Sequence, residues 1–141
     1  MPFMLTAHQI DLVQASFAYV VPITDEAAAI FYGKLFALAP DTRHLFRGDM
    51  AEQGRKLFLT LATVVDALDR LDTIVPVAQE LAIRHVAYGA KAIHYNAVGI
   101  ALIETLRAGL GPMFDRDTEA AWGAAYKILS DTMQAAARQA A

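Results

Sequence analysis

Three polar side chains fall at positions where the helical spacing of apolar residues predicts buried faces: Tyr32, Gln53 and His85. One such residue is usually a core polar group with a local partner, because burying it unpaired costs about 1–3 kcal/mol. Three of them in one small helical domain indicate a shared polar target in the interior. Neutral imidazole is a common metal ligand, and phenol and amide groups donate hydrogen bonds, so this set favours a buried metal cofactor.

The three residues belong to three successive amphipathic segments, each with apolar residues at helical spacing. The first opens at Thr24-Asp25-Glu26 and has the apolar face Ala28, Phe31, Tyr32, Leu35, Phe36 and Ala39. The second opens with a predicted capping box at Asp49 to Glu52 and has the face Gln53, Leu57, Leu61, Val64, Val65 and Leu68. After a predicted break at Leu71-Asp72-Thr73, the third has the face Ile74, Val77, Ala78, Leu81, Ala82 and His85. Gly89 is predicted to end it in a left-handed conformation.

The remaining segments are also helical in pattern. Thr6 and Gln9 form a capping box before the face Ile10, Val13, Phe17, Val20 and Val21, which Pro22 closes. Residues 96–110 are apolar nearly all round, which predicts a central, buried helix. Asp115 caps a last helix with the inward face Trp122, Tyr126, Leu129 and Met133. We therefore expect a single all-α domain of six or seven helices over residues 1–141, with frayed ends at 1–5 and 135–141.

Composition excludes several classes of function. Hydrophobic residues make up 56% of the 141 residues, charged residues 19%, and the net charge is −3. The basic residues form no stripe for nucleic acid and no polybasic membrane patch. The absence of cysteine excludes disulfides, iron–sulfur clusters and thiolate ligation of a metal. The amino terminus has no cationic leader and no uncharged stretch is long enough to span a bilayer, so we expect a soluble cytoplasmic protein.

Five stretches together carry a family resemblance. They are Phe31-Tyr32-Gly33-Lys34-Leu35-Phe36, Arg43-His44-Leu45-Phe46, Arg84-His85-Val86-Ala87-Tyr88-Gly89, His94-Tyr95-Asn96-Ala97-Val98-Gly99 and Ala121-Trp122-Gly123-Ala124-Ala125-Tyr126. In this order the chain resembles the globin family, most closely single-domain bacterial haemoglobins and the globin part of flavohaemoglobins. The segments Arg84-His85 and Leu110-Gly111-Pro112-Met113-Phe114 also look like neuroglobin-type chains. The resemblance covers about Thr6 to Met133 and implies a globin fold around one haem.

By this resemblance, His85 is the proximal ligand and binds the iron of a five-coordinate haem b through Nε2. The other ring nitrogen should then donate to a nearby acceptor, which fixes the tautomer. Phe46 matches the aromatic residue that packs against the haem face, although an ordinary core phenylalanine would show the same burial. His44 and His94 are rival ligands, and we interpret both as surface or capping histidines.

Tyr32 and Gln53 match the distal positions that face the open coordination site. Both can donate hydrogen bonds to a dioxygen ligand that carries partial negative charge. Each bond contributes about 0.5–1.5 kcal/mol, so the pair would slow dissociation by about 10- to 100-fold. Leu57, one turn beyond Gln53, should restrict the ligand volume. The alternative for Gln53 is a solvated residue at the start of a helix.

Further residues are implied at the haem by the same resemblance. Leu81, Tyr95, Val98 and Tyr126 are expected to line the pocket. The cations implied at the haem propionates are Lys56, Arg84 and Arg55, and solvated surface cations are an equally good interpretation. Flavohaemoglobin-type globins place a glutamate in the last helix near the proximal histidine, and here the gapless match has Ala137.

The resemblance implies reversible binding of dioxygen, carbon monoxide and nitric oxide, hence oxygen binding, transport or storage. One alternative is nitric oxide dioxygenation to nitrate, an enzyme activity that would need a separate flavin reductase as partner. A second alternative is a haem-based gas sensor module. The loss of the glutamate at Ala137 favours ligand binding over oxygen activation. A homodimer remains open.

Overall fold

The computed structural model describes residues 5–46 and 48–140. Of the residues predicted to fray, 1–5 and 135–141, residues 1–4 and 141 lie outside the described ranges. Its elements are α1 Ala7–Val20, α2 Thr24–Leu38, α3 Met50–Asp66, α4 Leu71–Tyr88, α5 Ala92–Leu110 and α6 Arg116–Ala140. Short 3₁₀ turns connect several of them, at Val21–Ile23, Pro40–Leu45 and Gly111–Met113. The described ranges contain no strand, which confirms the all-α prediction of six or seven helices. None of these helices is long and apolar enough to cross a membrane.

Local capping explains where most helices begin and end. The Thr6 hydroxyl accepts the Gln9 N–H and the Gln9 side chain accepts the Thr6 N–H, both at 3.0 Å, so the predicted capping box is confirmed. The Asp49 carboxylate caps α3 by accepting the Ala51 N–H at 2.9 Å. The Asp115 carboxylate accepts the Thr118 N–H at 2.8 Å. Gly89 ends α4 at φ 88°, the left-handed conformation that its position predicted.

Two helix starts differ from the sequence-based expectation. The break predicted at Leu71-Asp72-Thr73 was wrong, because α3 already ends at Asp66 and α4 begins at Leu71. In the first turn of α4 the Thr73 hydroxyl donates to the Arg70 carbonyl at 2.6 Å, so threonine helps to start this helix. Helix α5 begins at Ala92 rather than near residue 96.

Three apolar residues predicted to face inward are exposed or lie on an open face. Val21 is 54% exposed because it belongs to the 3₁₀ turn after α1, where the change of helical pitch rotates it outward. Val77 is 38% exposed, since Ala78 and not Val77 lies on the buried line of α4. Helix α5 buries only one side, and Ile100 is 43% exposed on the other, so its predicted all-round burial was wrong.

The core forms where α1 crosses α6. The Phe17 ring lies 6.0 Å from the Trp122 ring and 6.4 Å from the Phe58 ring, measured between centroids. The Trp122 indole N–H donates to the buried Ser16 hydroxyl at 2.9 Å. This bond satisfies the one polar group of the largest side chain in the core.

Helices α2 and α3 approach closely at Gly54. A Cβ on this residue would lie 2.6 Å from the Ala28 Cβ and 3.8 Å from Cε2 of Tyr32. Any larger residue would push the two helices apart. The crossing therefore sets the position of Gln53, the neighbour of Gly54, relative to Tyr32.

The turn Pro40–Leu45, called the corner turn below, is attached to the start of α5 by a buried histidine. The His94 Nδ1 accepts the Lys91 N–H at 3.0 Å, and Nε2 lies 2.8 Å from the Asp41 carboxylate. Because a backbone N–H can only donate, Nδ1 carries the lone pair and Nε2 donates to Asp41. The capping role predicted for His94 is confirmed, but its side chain is buried and not on the surface.

The same turn also contacts the end of α4. The Leu45 Cδ2 atom lies 3.8 Å from the position that a Cβ on Gly89 would occupy. The corner turn is thus held between the end of α4, the beginning of α5 and the end of α2.

Replacement of Asp41 by alanine should lower the free energy of unfolding at moderately acidic and neutral pH. The hydrogen bond from His94 holds the Asp41 pKa below its usual value of 3.8. A lowered folded-state pKa means that the carboxylate stabilises the fold above the ordinary pKa and loses this effect as pH falls through the folded value. We expect a lower urea midpoint for Asp41→Ala at about pH 6, and the difference from wild type should shrink as the pH falls below the ordinary carboxyl pKa of 3.8 and through the lowered folded-state value.

The matched control is Asp66→Ala, which removes an exposed carboxylate 3.8 Å from Arg70. Exposed pairs of this kind contribute about 0–1 kcal/mol, so its midpoint should follow the wild type across the same pH range. Equal shifts in both variants would contradict the role given to the Asp41–His94 contact.

Candidate functional site

An aromatic cluster surrounds Tyr32 in the second half of α2. The Tyr32 ring lies 5.3 Å from Phe31, 5.8 Å from Phe36 and 5.1 Å from Phe46, between centroids. The Phe36 and Phe46 rings are 5.6 Å apart in an edge-to-face arrangement. The structure therefore brings together Tyr32 and Phe46, two of the residues that the sequence singled out.

The Tyr32 phenol is buried, with 7% of the residue exposed. Burial disfavours the phenolate and raises the pKa of Tyr32 to about 12. The hydroxyl therefore keeps its proton throughout the physiological range and is available as a hydrogen-bond donor.

Gln53 and Leu57 lie half-buried on α3, one turn apart. Gln53 is the fourth residue of the helix. It directly precedes Gly54, which packs close to the Tyr32 ring. This position differs from that of a fully solvated residue at a helix start. Its participation in ligand binding stays a prediction.

The His85 imidazole is oriented by its own helix. Its Nδ1 lies 2.6 Å from the Leu81 carbonyl oxygen, and since a carbonyl only accepts, Nδ1 must carry the hydrogen. The lone pair is then on Nε2, at the opposite side of the ring. The acceptor expected behind the proximal histidine is therefore present, and the imidazole has the tautomer that binds a metal through Nε2.

Tyr95 lies beside His85, with ring centroids 6.2 Å apart and planes inclined by 35°. Its hydroxyl is buried and has no hydrogen-bond partner among the described residues. Burial raises the pKa of Tyr95, so this group remains a neutral phenol. Ala137 lies half-buried on α6 and brings no carboxylate from the position where the resemblance expects one.

Tyr126 supports Tyr95 from α6. Its hydroxyl donates to the Tyr95 carbonyl oxygen at 2.5 Å, and burial raises the pKa of Tyr126. A Cβ on Gly99 would lie 2.7 Å from the Tyr126 ring, so glycine is needed at this contact. Sequence reasoning missed Gly99 and Gly54; the available signal was a glycine inside an otherwise regular helix, where it costs about 1 kcal/mol relative to alanine.

The other predicted pocket residues are placed as follows. Leu81 and Val98 are half-buried against the core. The Lys56 Nζ lies 3.6 Å from Glu52, and Arg84 lies 2.8 Å from Glu80, each pair exposed on its own helix. Arg55 is also exposed. Contacts of these cations with propionates stay a prediction.

The remaining histidines are poorer ligand candidates than His85. His94 uses both ring nitrogens within the protein, on Lys91 and Asp41. His8 and His44 are exposed to solvent. The Nε2 lone pair of His85 is defined, and the nearby Tyr95 hydroxyl is buried with no hydrogen-bond partner in the described part of the chain, which fits a haem held by one histidine.

Comparison with known proteins places the chain in a family. The profile described as Globin matches residues 29–133. A flavohemoprotein of Vibrio cholerae is 28% identical over 134 residues, covering 90% of this chain and 33% of the relative. A flavohemoprotein of Bacillus cereus is 30% identical over 132 residues, covering 91% of this chain and 32% of the relative. The chain therefore spans about a third of the length of these curated relatives.

A solved structure supports the same conclusion at the level of the fold. A bacterial globin from Campylobacter jejuni superposes with a TM-score of 0.83 at 23% identity, over 95% of this chain and 97% of that one. The helical architecture predicted from the sequence is thus confirmed as globin-like. With the profile match over most of its length, the chain belongs to the globin family.

Proposed function

We propose that this protein holds one five-coordinate haem b through Nε2 of His85 and binds dioxygen reversibly, for oxygen transport or storage. The observation that supports this most directly is the hydrogen bond from His85 Nδ1 to the Leu81 carbonyl, which directs the lone pair to Nε2. A bound haem would supply a ferrous iron able to bind dioxygen, carbon monoxide and nitric oxide. The protein's own residues decide how strongly such ligands are retained.

On the proximal side, the acceptor behind His85 is a neutral carbonyl. A carboxylate in this role would make the imidazole more electron-donating, which favours cleavage of the oxygen–oxygen bond. Ala137 provides no such carboxylate, and the Tyr95 hydroxyl has no partner in the described part of the chain. The proximal side therefore favours reversible binding over oxygen activation.

On the distal side, Tyr32 is the principal donor. Its phenol is buried, protonated, and fixed by three phenylalanine rings, so little side-chain entropy is lost when it donates to a ligand. Gln53 is the second donor, and Leu57 limits the space beside it. Each donor contributes about 0.5–1.5 kcal/mol to ligand retention.

Haem titration tests the proximal assignment. Wild-type protein should bind haem with one-to-one stoichiometry and give the ferrous spectrum of a single histidine ligand. His85→Ala should lose the histidine-ligated ferrous spectrum, because the iron ligand is removed. The matched control is His44→Ala, which removes an exposed imidazole from the corner turn and should leave the spectrum unchanged.

Either of two outcomes would contradict this assignment. A wild-type protein that develops no Soret band would exclude haem binding altogether. A His85→Ala variant with an unchanged ferrous spectrum would place the ligand elsewhere.

Dioxygen dissociation measured by stopped flow tests the distal assignment. Tyr32→Phe keeps the aromatic packing and removes one donor, so dissociation should accelerate by about 3- to 10-fold. Gln53→Leu should act in the same direction, and the double variant should be faster than either by a similar factor. Tyr19→Phe, at a tyrosine that is 62% exposed on α1, is the control and should leave the rate unchanged. A Tyr32→Phe rate equal to that of wild type would remove Tyr32 from the site.

The second candidate is nitric oxide dioxygenation, which the similarity to flavohemoproteins favours. In this reaction nitric oxide, dioxygen and one electron combine to give nitrate, and a separate flavin reductase would supply the electron. The same distal donors would hold dioxygen in place for both functions.

Nitric oxide consumption with NADH and a flavin reductase separates the two functions. Because the proximal side lacks the carboxylate, we expect about one nitric oxide consumed per haem followed by very slow turnover. Sustained turnover that depends on the reductase would assign the enzyme function instead.

A further inference from the structure

Helices α2 and α3 meet at a pair of small buried residues, Ala28 and Gly54. Ala28 and Tyr32 lie one turn apart on the same face of α2. Gly54 packs against both of them, since a Cβ on Gly54 would lie 2.6 Å from the Ala28 Cβ and 3.8 Å from Cε2 of Tyr32. The absence of a side chain at Gly54 therefore determines how near α3 lies to the Tyr32 ring.

The same contact sets the distance between the two residues proposed as distal donors. Three phenylalanine rings fix the Tyr32 ring on α2. Gln53 directly precedes Gly54 on α3, so the backbones of these two residues move together. Hydrogen bonds form at donor–acceptor distances of about 2.5–3.2 Å, so a ligand held beside Tyr32 can accept from Gln53 only within a narrow range of helix separation.

One methyl group is enough to leave this range. Non-bonded carbon atoms pack at about 3.5–4.0 Å, so a Cβ placed 2.6 Å from the Ala28 Cβ would force the helices apart by about 1 Å. The corner turn joins α2 to α4 and α5, so α3 is the helix that moves. Phe58, one turn beyond Gly54, is buried against Phe17 of α1, which opposes a sideways shift of α3.

We propose that Gly54 and Ala28 are positioning residues that slow ligand release by holding Gln53 within hydrogen-bond reach of a ligand beside Tyr32. Neither has a polar side chain, so both act through the donor that follows from the helix separation. This inference rests on the proposed distal function of Tyr32 and Gln53. It adds that the spacing of α2 and α3, and not only the presence of two donors, determines how long dioxygen is retained.

Dioxygen dissociation from Gly54→Ala, measured by stopped flow on the haem-loaded protein, tests the proposal. Displacement of α3 removes the bond from Gln53, so dissociation should accelerate by about 3- to 10-fold. The double variant Ala28→Gly/Gly54→Ala moves the methyl group from α2 to α3 across the same contact. Because it restores the helix separation, it should restore the wild-type rate.

Combination with the donor variants distinguishes this role from a general loss of structure. Gly54→Ala should have little further effect in the Gln53→Leu protein, because the donor that it displaces is already absent. In the Tyr32→Phe protein it should still accelerate dissociation by about 3- to 10-fold, because Gln53 remains to be displaced.

The haem-free protein provides a readout that is independent of ligand binding. Gly123→Ala on α6 is the matched control, since a Cβ there would meet nothing within 4 Å. Alanine is the better helix former, so this variant should raise the urea midpoint and leave dioxygen dissociation unchanged. Gly54→Ala should lower the midpoint instead, because overpacking outweighs helix propensity. The exchange with Ala28→Gly should return the midpoint to the wild-type value.

The possible contradictions are distinguishable. A wild-type rate in Gly54→Ala, while Gln53→Leu is faster, would overturn the positioning role and leave the distal donors in place. A rate that stays fast in the exchange variant after its urea midpoint is restored would also overturn it, as would full additivity of Gly54→Ala with Gln53→Leu. An unchanged rate in Gln53→Leu would overturn the distal assignment of Gln53, and this proposal with it.

Discussion

The hydrogen bond from His85 Nδ1 to the Leu81 carbonyl decides which nitrogen of the imidazole can bind a metal. Both groups belong to α4, one turn apart, so the helix itself supplies the acceptor that orients the ring. A neutral acceptor also limits the electron density that the imidazole can donate. One short hydrogen bond within α4 thus favours the proposed haem ligation by His85 and also favours reversible binding of dioxygen over oxygen activation.

The corner turn relates the two sides of the proposed haem pocket. Phe46 follows the turn directly and packs on Tyr32, while Leu45 approaches the end of α4 that carries His85. The Asp41–His94 contact fixes the same turn to α5. Because α2, α4 and α5 all hold this segment, Tyr32 on the distal side and His85 on the proximal side keep a defined position relative to each other, although they lie 53 positions apart in the chain. The close approach of α2 and α3 at Gly54 likewise fixes the position of α3 relative to Tyr32.

Much of the fold could be predicted from local sequence. The Thr6 capping box, the left-handed Gly89 and the inward position of Tyr32 follow from neighbouring residues and helical spacing, and the structure agrees. Features that depend on distant residues could not be predicted. His94 was predicted to be a surface or capping residue. Its burial could not be predicted because its partner Asp41 lies in another element. The inward position predicted for Val21 was wrong, because helical periodicity does not reveal a change to 3₁₀ geometry.

A crystal structure of the ferrous protein with haem and dioxygen or carbon monoxide tests the central claim most directly. We predict that Nε2 of His85 binds the iron while Nδ1 keeps its bond to the Leu81 carbonyl, and that the Tyr32 hydroxyl donates to the gas ligand. Iron bound by His44 or His94, or a Tyr32 hydroxyl directed away from the ligand, would contradict this account.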